Sequence, residues 1–146
     1  MCSNEKSYYI GFVVLSAACT NNDNNGLAIN SQNLLGKWYI KGGTYDNGPF
    51  ENYNHDCATN KDFQEFFDNG ELTFNGFNSA CELTEVEPSL WVLNGNILTV
   101  SNTNFDPIIY EYVYTIEKLT SEELIVKQTV IEPEGTFVVK TTFTRD

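Results

Sequence analysis

The residues best suited to chemistry are four cysteines, Cys2, Cys19, Cys57 and Cys81, and a single histidine, His55, followed by Asp56. Cys57 and Cys81 have three fates. They form a disulfide if the chain reaches an oxidising compartment. They share a mixed metal site with His55 and Asp56, although one histidine is thin support for zinc. Otherwise they are two free thiols. His55 beside Asp56 is the only pairing that suggests acid–base work. Both lie in a Gly- and Asn-rich stretch with no partnered nucleophile near them, so a solvated loop histidine is expected. Glu82, Glu85, Glu87, Glu122 and Glu123 lie at or near expected turns and read as solubility charges, with a loose calcium site as the alternative. The chain has no phosphate loop, dinucleotide fingerprint or zinc-protease motif. It is therefore expected to be no enzyme, with no cofactor and no metal.

The compartment is written at the N-terminus. Lys6 precedes the apolar run Tyr8, Tyr9, Ile10, Phe12, Val13, Val14 and Leu15, and Ser16, Ala17, Ala18 and Cys19 follow. The run is too short to span a bilayer as a helix and suits the core of a signal peptide. Beyond Cys19 the chain turns Asn-rich and polar, as a flexible tether would be. The order Leu15-Ser16-Ala17-Ala18-Cys19 resembles the lipobox of bacterial lipoproteins, with the large aliphatic residue one place earlier than in that pattern. The resemblance implies cleavage before Cys19, lipidation of its thiol, and retention on a membrane face of the cell envelope. The expected organisation is a signal over residues 1–18, a lipidated cysteine and tether over 19–33, and one domain over 34–146. Export also favours a Cys57–Cys81 disulfide among the three fates.

Hydrophobic residues make up 41% of the chain and aromatics 14%, enough to form a core of its own. The formal net charge is −12. Such a surface repels phosphate backbones and anionic lipid head groups. Nucleic acid is thus excluded as a partner, and membrane contact falls to the acyl anchor alone.

From residue 34 onward the pattern is strand and turn. Alternating runs over 34–41, 62–67, 71–77, 90–93, 97–101, 110–117, 124–131 and 136–145 predict eight strands. Asp68-Asn69-Gly70 and Asn94-Gly95-Asn96 predict tight turns, and Gly76 predicts a bulge. Residues 42–60 and 102–107 read as loops, and 81–88 as a connection. No segment holds a helical period. Eight short strands with short links predict an all-β, antiparallel, up-and-down barrel.

Leu35-Gly36-Lys37-Trp38 resembles the Gly-x-Trp signature on the first strand of lipocalins. The later order, Cys57, Phe66 with Gly70, Cys81, Trp91 with Leu93, and Tyr114-x-Ile116-x-x-Leu119-Thr120, is similar to the lipocalin-like domains of bacterial lipoproteins. The resemblance implies an eight-stranded barrel with a possible apolar cavity and no fixed ligand. It also implies that Trp38 closes the barrel floor with Arg145, the chain's only arginine, stacked against it. Phe74, Trp91, Tyr112, Tyr114, Gln128, Phe137 and Val139 are the residues expected inside, either lining a cavity or packing a filled core. The expected role is a membrane-anchored, non-enzymatic binder of a small apolar or amphipathic molecule. The alternative is an envelope lipoprotein with a filled barrel that meets a protein partner through its loops.

Overall fold

The computed structural model describes residues 26–102 and 110–145. The signal, Cys19 and most of the 102–107 loop lie outside the described residues. The elements run α1 (Ser31–Leu34), β1 (Gly36–Tyr45), β2 (Glu51–Asn52), β3 (Phe63–Phe66), β4 (Glu71–Phe77), β5 (Leu83–Asn94), β6 (Ile97–Asn102), β7 (Tyr110–Leu119), β8 (Glu123–Glu132) and β9 (Gly135–Thr144). From β3 to β9 each strand pairs antiparallel with the next. β1 pairs with β3 on one edge and with β9 on the other, from Tyr39↔Thr144 to Tyr45↔Val139. That last pairing closes eight strands into the expected up-and-down barrel. Closure leaves no long open edge, the feature that otherwise invites aggregation.

β2 is an addition to the expected pattern. It pairs with β1 at Gly42↔Asn52 and Gly43↔Glu51, above the point where β3 leaves that edge. Gly42 and Gly43 explain why the sequence reads as loop while the chain stays in strand. A Cβ on Gly42, whose φ is +148°, would stand 2.1 Å from the Glu51 carbonyl oxygen, and one on Gly43 2.2 Å from that of Lys140. Two backbones press on β1 where it has no side chains, so β1 runs on to Tyr45 and the expected 42–60 loop is shorter. The 81–88 connection is likewise corrected, since β5 begins at Leu83. Its Pro88, a residue that weakens a strand reading, sits within the β4–β5 ladder opposite Thr73. The bulge expected at Gly76 is present as a register shift between Gly76 and Phe77.

At the other end the corrections concern the entry of the chain. Leu34 is the last residue of α1 rather than the start of a strand. The Asn30 side chain caps α1 by accepting from Asn33 N–H. Gly26 bridges to Thr120, and Leu27 N–H donates to the Leu119 carbonyl at 2.7 Å. Residues 26–33 therefore belong to the folded unit and not to a tether.

α1 plugs one mouth of the barrel, and the core gathers above it. Leu34, Trp38, Phe66, Leu72, Trp91, Leu98, Ile116, Leu119, Leu124 and Phe143 are all buried. Towards the opposite end the inward positions become half-exposed, with Tyr45 at 55% and Tyr112 at 42%. Among the described residues one end is thus packed and closed, and the other is more exposed.

Candidate functional site

The closed end is held by one aromatic and one cation. The Arg145 guanidinium stacks over the Trp38 ring at 4.0 Å. Its Nη2 donates to the carbonyls of Asn33 (3.0 Å) and Leu35 (2.7 Å), which frame the end of α1. Trp38 Nε1 donates to the Leu34 carbonyl at 2.8 Å. Burial pulls the guanidinium pKa below its ordinary value. These groups fasten the floor.

Above the floor lies a chamber of about 170 Å³. Its walls include Ile40, Phe66, Leu98, Leu124, Val126 and Phe143, with Tyr114 and Gln64 as polar handles. A second chamber of about 230 Å³ shares Gln64, Val100 and Tyr114 with the first and opens towards the mouth between Phe74, Tyr112 and Glu87. Strand register explains the arrangement. Gln64↔Phe74, Phe74↔Glu87, Val100↔Tyr112 and Leu98↔Tyr114 are cross-strand pairs, so their side chains share the inner face. Burial, and then the neighbouring Tyr112, raises the Tyr114 pKa above the ordinary phenol value, so its hydroxyl is neutral at physiological pH.

The expected interior residues separate by depth. Tyr114 stands between the two chambers, and Phe74 and Tyr112 line the outer one. Trp91 is part of the packed floor instead: its ring meets Phe66 edge-on at 5.3 Å and its Nε1 donates to the Phe67 carbonyl. Phe137 stacks on Tyr45 at 5.3 Å near the mouth. Val139 borders a shallow groove of about 290 Å³ with Tyr45, Tyr53 and Glu51. Gln128 is half-buried and pairs across with Val139.

Several site residues escaped the sequence reading. Tyr45 was lost with the truncated first strand. Glu85 and Glu87, read as turn charges, stand on β5 opposite Gly76 and Phe74, on the inner face. Their signal was the alternation Glu85, Glu87, Ser89, Trp91, hidden by the intervening proline.

His55 is not the solvated loop residue expected. It is half-buried, its Nδ1 accepts from Asp62 N–H at 2.9 Å, and its Nε2 meets the Ile40 carbonyl at 2.9 Å. Both ring nitrogens thus meet main-chain partners, and Nδ1 also lies 3.6 Å from the Asp62 carboxylate. Asp56 beside it is exposed. The buried Asp62 carboxylate accepts from Tyr53 O–H (2.9 Å) and Phe77 N–H (2.9 Å). Cys57 and Cys81 are joined as a disulfide, so neither sulfur is available to a metal. Bridge and bonds together pin residues 53–62 against the β4–β5 turn, beside the mouth.

Partial burial, and then the Asp62 carboxylate, pushes the Tyr53 pKa up to about 12 from 10.0. A raised folded-state value stabilises the fold below pH 10 and loses that contribution as pH rises from 10 to about 12. A phenolate titration followed by ultraviolet absorbance should show one tyrosine ionising last. Tyr53→Phe should remove that step, and an unchanged curve would place the late tyrosine elsewhere.

Comparison with known proteins agrees with this geometry. Residues 34–126 match the family model described as a lipocalin-like domain. The crystal structure of a lipocalin-like protein from Bacteroides uniformis superposes with a TM-score of 0.56 at 19% identity, covering 78% of this chain and 99% of that one. An uncharacterized protein from Bacteroides eggerthii gives 0.58 at 14% identity, covering 77% and 99%. Lobster apocrustacyanin A1 gives 0.52 at 15% identity, covering 80% and 63%. At these identities the likeness is one of fold. No curated protein sequence matches the chain.

Proposed function

Because the chain belongs to the family of lipocalin-like domains, a fold that supports small-molecule binding, we propose that it is a non-enzymatic carrier or sensor of a small apolar or amphipathic ligand, anchored by lipid at Cys19. One observation carries the ligand reading: the barrel is packed at its floor yet keeps an apolar chamber of about 170 Å³ leading to the mouth chamber. A barrel of eight strands can be filled by its own side chains, so retained space is informative. The volume is at or below the low end for ligand pockets, which favours a single ring or a short chain.

The anchor rests on the sequence around Cys19. Gly26, only a few residues further on, is fixed beside Thr120 at the closed end. A Cys19→Ser variant should leave the membrane fraction or persist as unprocessed precursor. Recovery of that variant as a mature membrane protein would overturn the anchor.

The ligand reading is tested by titrating short alcohols, isoprenoids and aromatic dyes while following tryptophan fluorescence and the thermal midpoint. A true ligand at a hundredfold excess over its Kd should add about 2.7 kcal/mol of stability. Ile40→Trp, which fills the chamber, should abolish that gain while the protein stays folded. If no probe in the panel shifts the midpoint, the barrel is a scaffold and its partner is a protein.

A further inference from the structure

We propose that the mouth selects ligands with a cationic head group, held by the Glu87 carboxylate between the faces of Phe74 and Tyr112. This inference rests on the small-molecule reading above and specifies the ligand it takes.

Among the described residues Glu87, itself exposed, is the only charged one lining either chamber. Its place is fixed by the β4–β5 register, which sets it opposite Phe74 on the inner face. Among the described residues no hydrogen bond or ion pair occupies its carboxylate, whereas Lys118, Lys127 and Lys140 are each committed to another glutamate. Lys140 borders the neighbouring groove, but its ammonium sits 2.7 Å from Glu117, which holds that carboxylate's pKa below its usual value. These three lysines are thus already paired with other carboxylates.

The surrounding groups favour the same sign. Glu85, the next inward position on β5, lies over Gly76 and acts electrostatically on Tyr53. Glu51 shares the adjoining groove with Tyr45 and Tyr53. Exposed carboxylates of one sign around a cleft set up a negative potential that concentrates cations and repels anions. Aromatic faces add attraction for an ammonium through their quadrupoles. Gln64 and Tyr114, deeper in, are neutral, and the inner chamber is apolar. The order from outside to inside is thus carboxylate, aromatic walls, apolar end. It complements an amine or quaternary ammonium bearing a short tail or one ring, and it disfavours a fatty-acid carboxylate.

Three probes of matched length separate the possibilities: octyltrimethylammonium, octanol and octanoate, titrated calorimetrically into the protein at pH 7 and low salt. Octyltrimethylammonium should bind about tenfold more tightly than octanol, with octanoate weakest. Added salt should erode the preference. Glu87→Gln should bring the cation down to the level of octanol while leaving octanol unchanged, and Glu87→Lys should reverse the order in favour of octanoate. Equal binding of octanol and octyltrimethylammonium would overturn the cation selectivity and leave the small-molecule reading standing. A preference retained by both Glu87 variants would overturn the assignment to this residue. Failure of all three probes to bind would defeat the small-molecule reading and the selectivity with it.

Discussion

Trp38→Ala should destabilise the barrel by about 3–5 kcal/mol, the usual cost of deleting a large buried aromatic. Trp38 is fully buried. Its removal opens a cavity under the strands that meet there and deprives the Leu34 carbonyl of its donor. It also takes away the ring on which Arg145 lies. A domain of this size is stable by roughly 5–15 kcal/mol, so the variant should unfold at a much lower urea midpoint with an unchanged denaturant slope. Arg145→Ala should cost less, about 1–3 kcal/mol, mainly by leaving the Asn33 and Leu35 carbonyls without a partner. The double variant should fall short of the sum by at least about 0.5 kcal/mol, because the two groups touch. Additive losses would mean that the floor is held by Trp38 packing alone. Arg145→Lys should behave like the alanine variant, since an ammonium cannot both stack on the ring and reach two carbonyls.

The floor was legible because its residues announce themselves. The resemblance to lipocalins paired the tryptophan of Gly36-Lys37-Trp38 with the lone arginine, and the alternation of the last strand turned Arg145 inward. The strand count was legible for the same reason: period-two alternation survives wherever both faces of a strand differ. It failed where that contrast vanished. Gly42 and Gly43 have no side chains to alternate, yet their bareness lets β2 and β9 approach β1 closely. The first half of β5 carries charge on its inner face and Val86 and Leu90 on its outer face, the reverse of the usual pattern. Polarity therefore made Glu85 and Glu87 read as solubility charges at a turn, and the mouth was missed along with them. His55 misled in another way, because its bonds run to main chain at Ile40 and Asp62, partners that no side-chain pattern reveals. The chambers themselves were beyond reach of the sequence, since a filled and a hollow barrel share one alternation.

Removing the Cys57–Cys81 bridge should be the other large perturbation, costing about 3 kcal/mol. The cysteines lie 24 residues apart, so the bond restricts a long stretch of the unfolded chain. In the folded state it ties the segment before β3 to the turn after β4, where Cys57 is buried and its sulfur accepts from the main-chain N–H groups of Thr59 and Asn60. The Cys57→Ser/Cys81→Ser variant should therefore lower the urea midpoint with little change at Trp38, which lies at the far end of the barrel. The mouth should respond more than the floor. Tyr53 and His55 are held to Asp62 by hydrogen bonds that survive without the bridge, so the segment should loosen rather than detach. Amide hydrogen exchange should show this as faster exchange at residues 53–62 and 78–82 and unaltered protection in β7 to β9. Combining Tyr53→Phe with the cysteine replacements should cost more than the two losses summed, because each restraint covers for the other. A midpoint equal to that of the bridged protein would show that the Asp62 network alone fixes the segment, and that the disulfide adds nothing to the wall of the mouth.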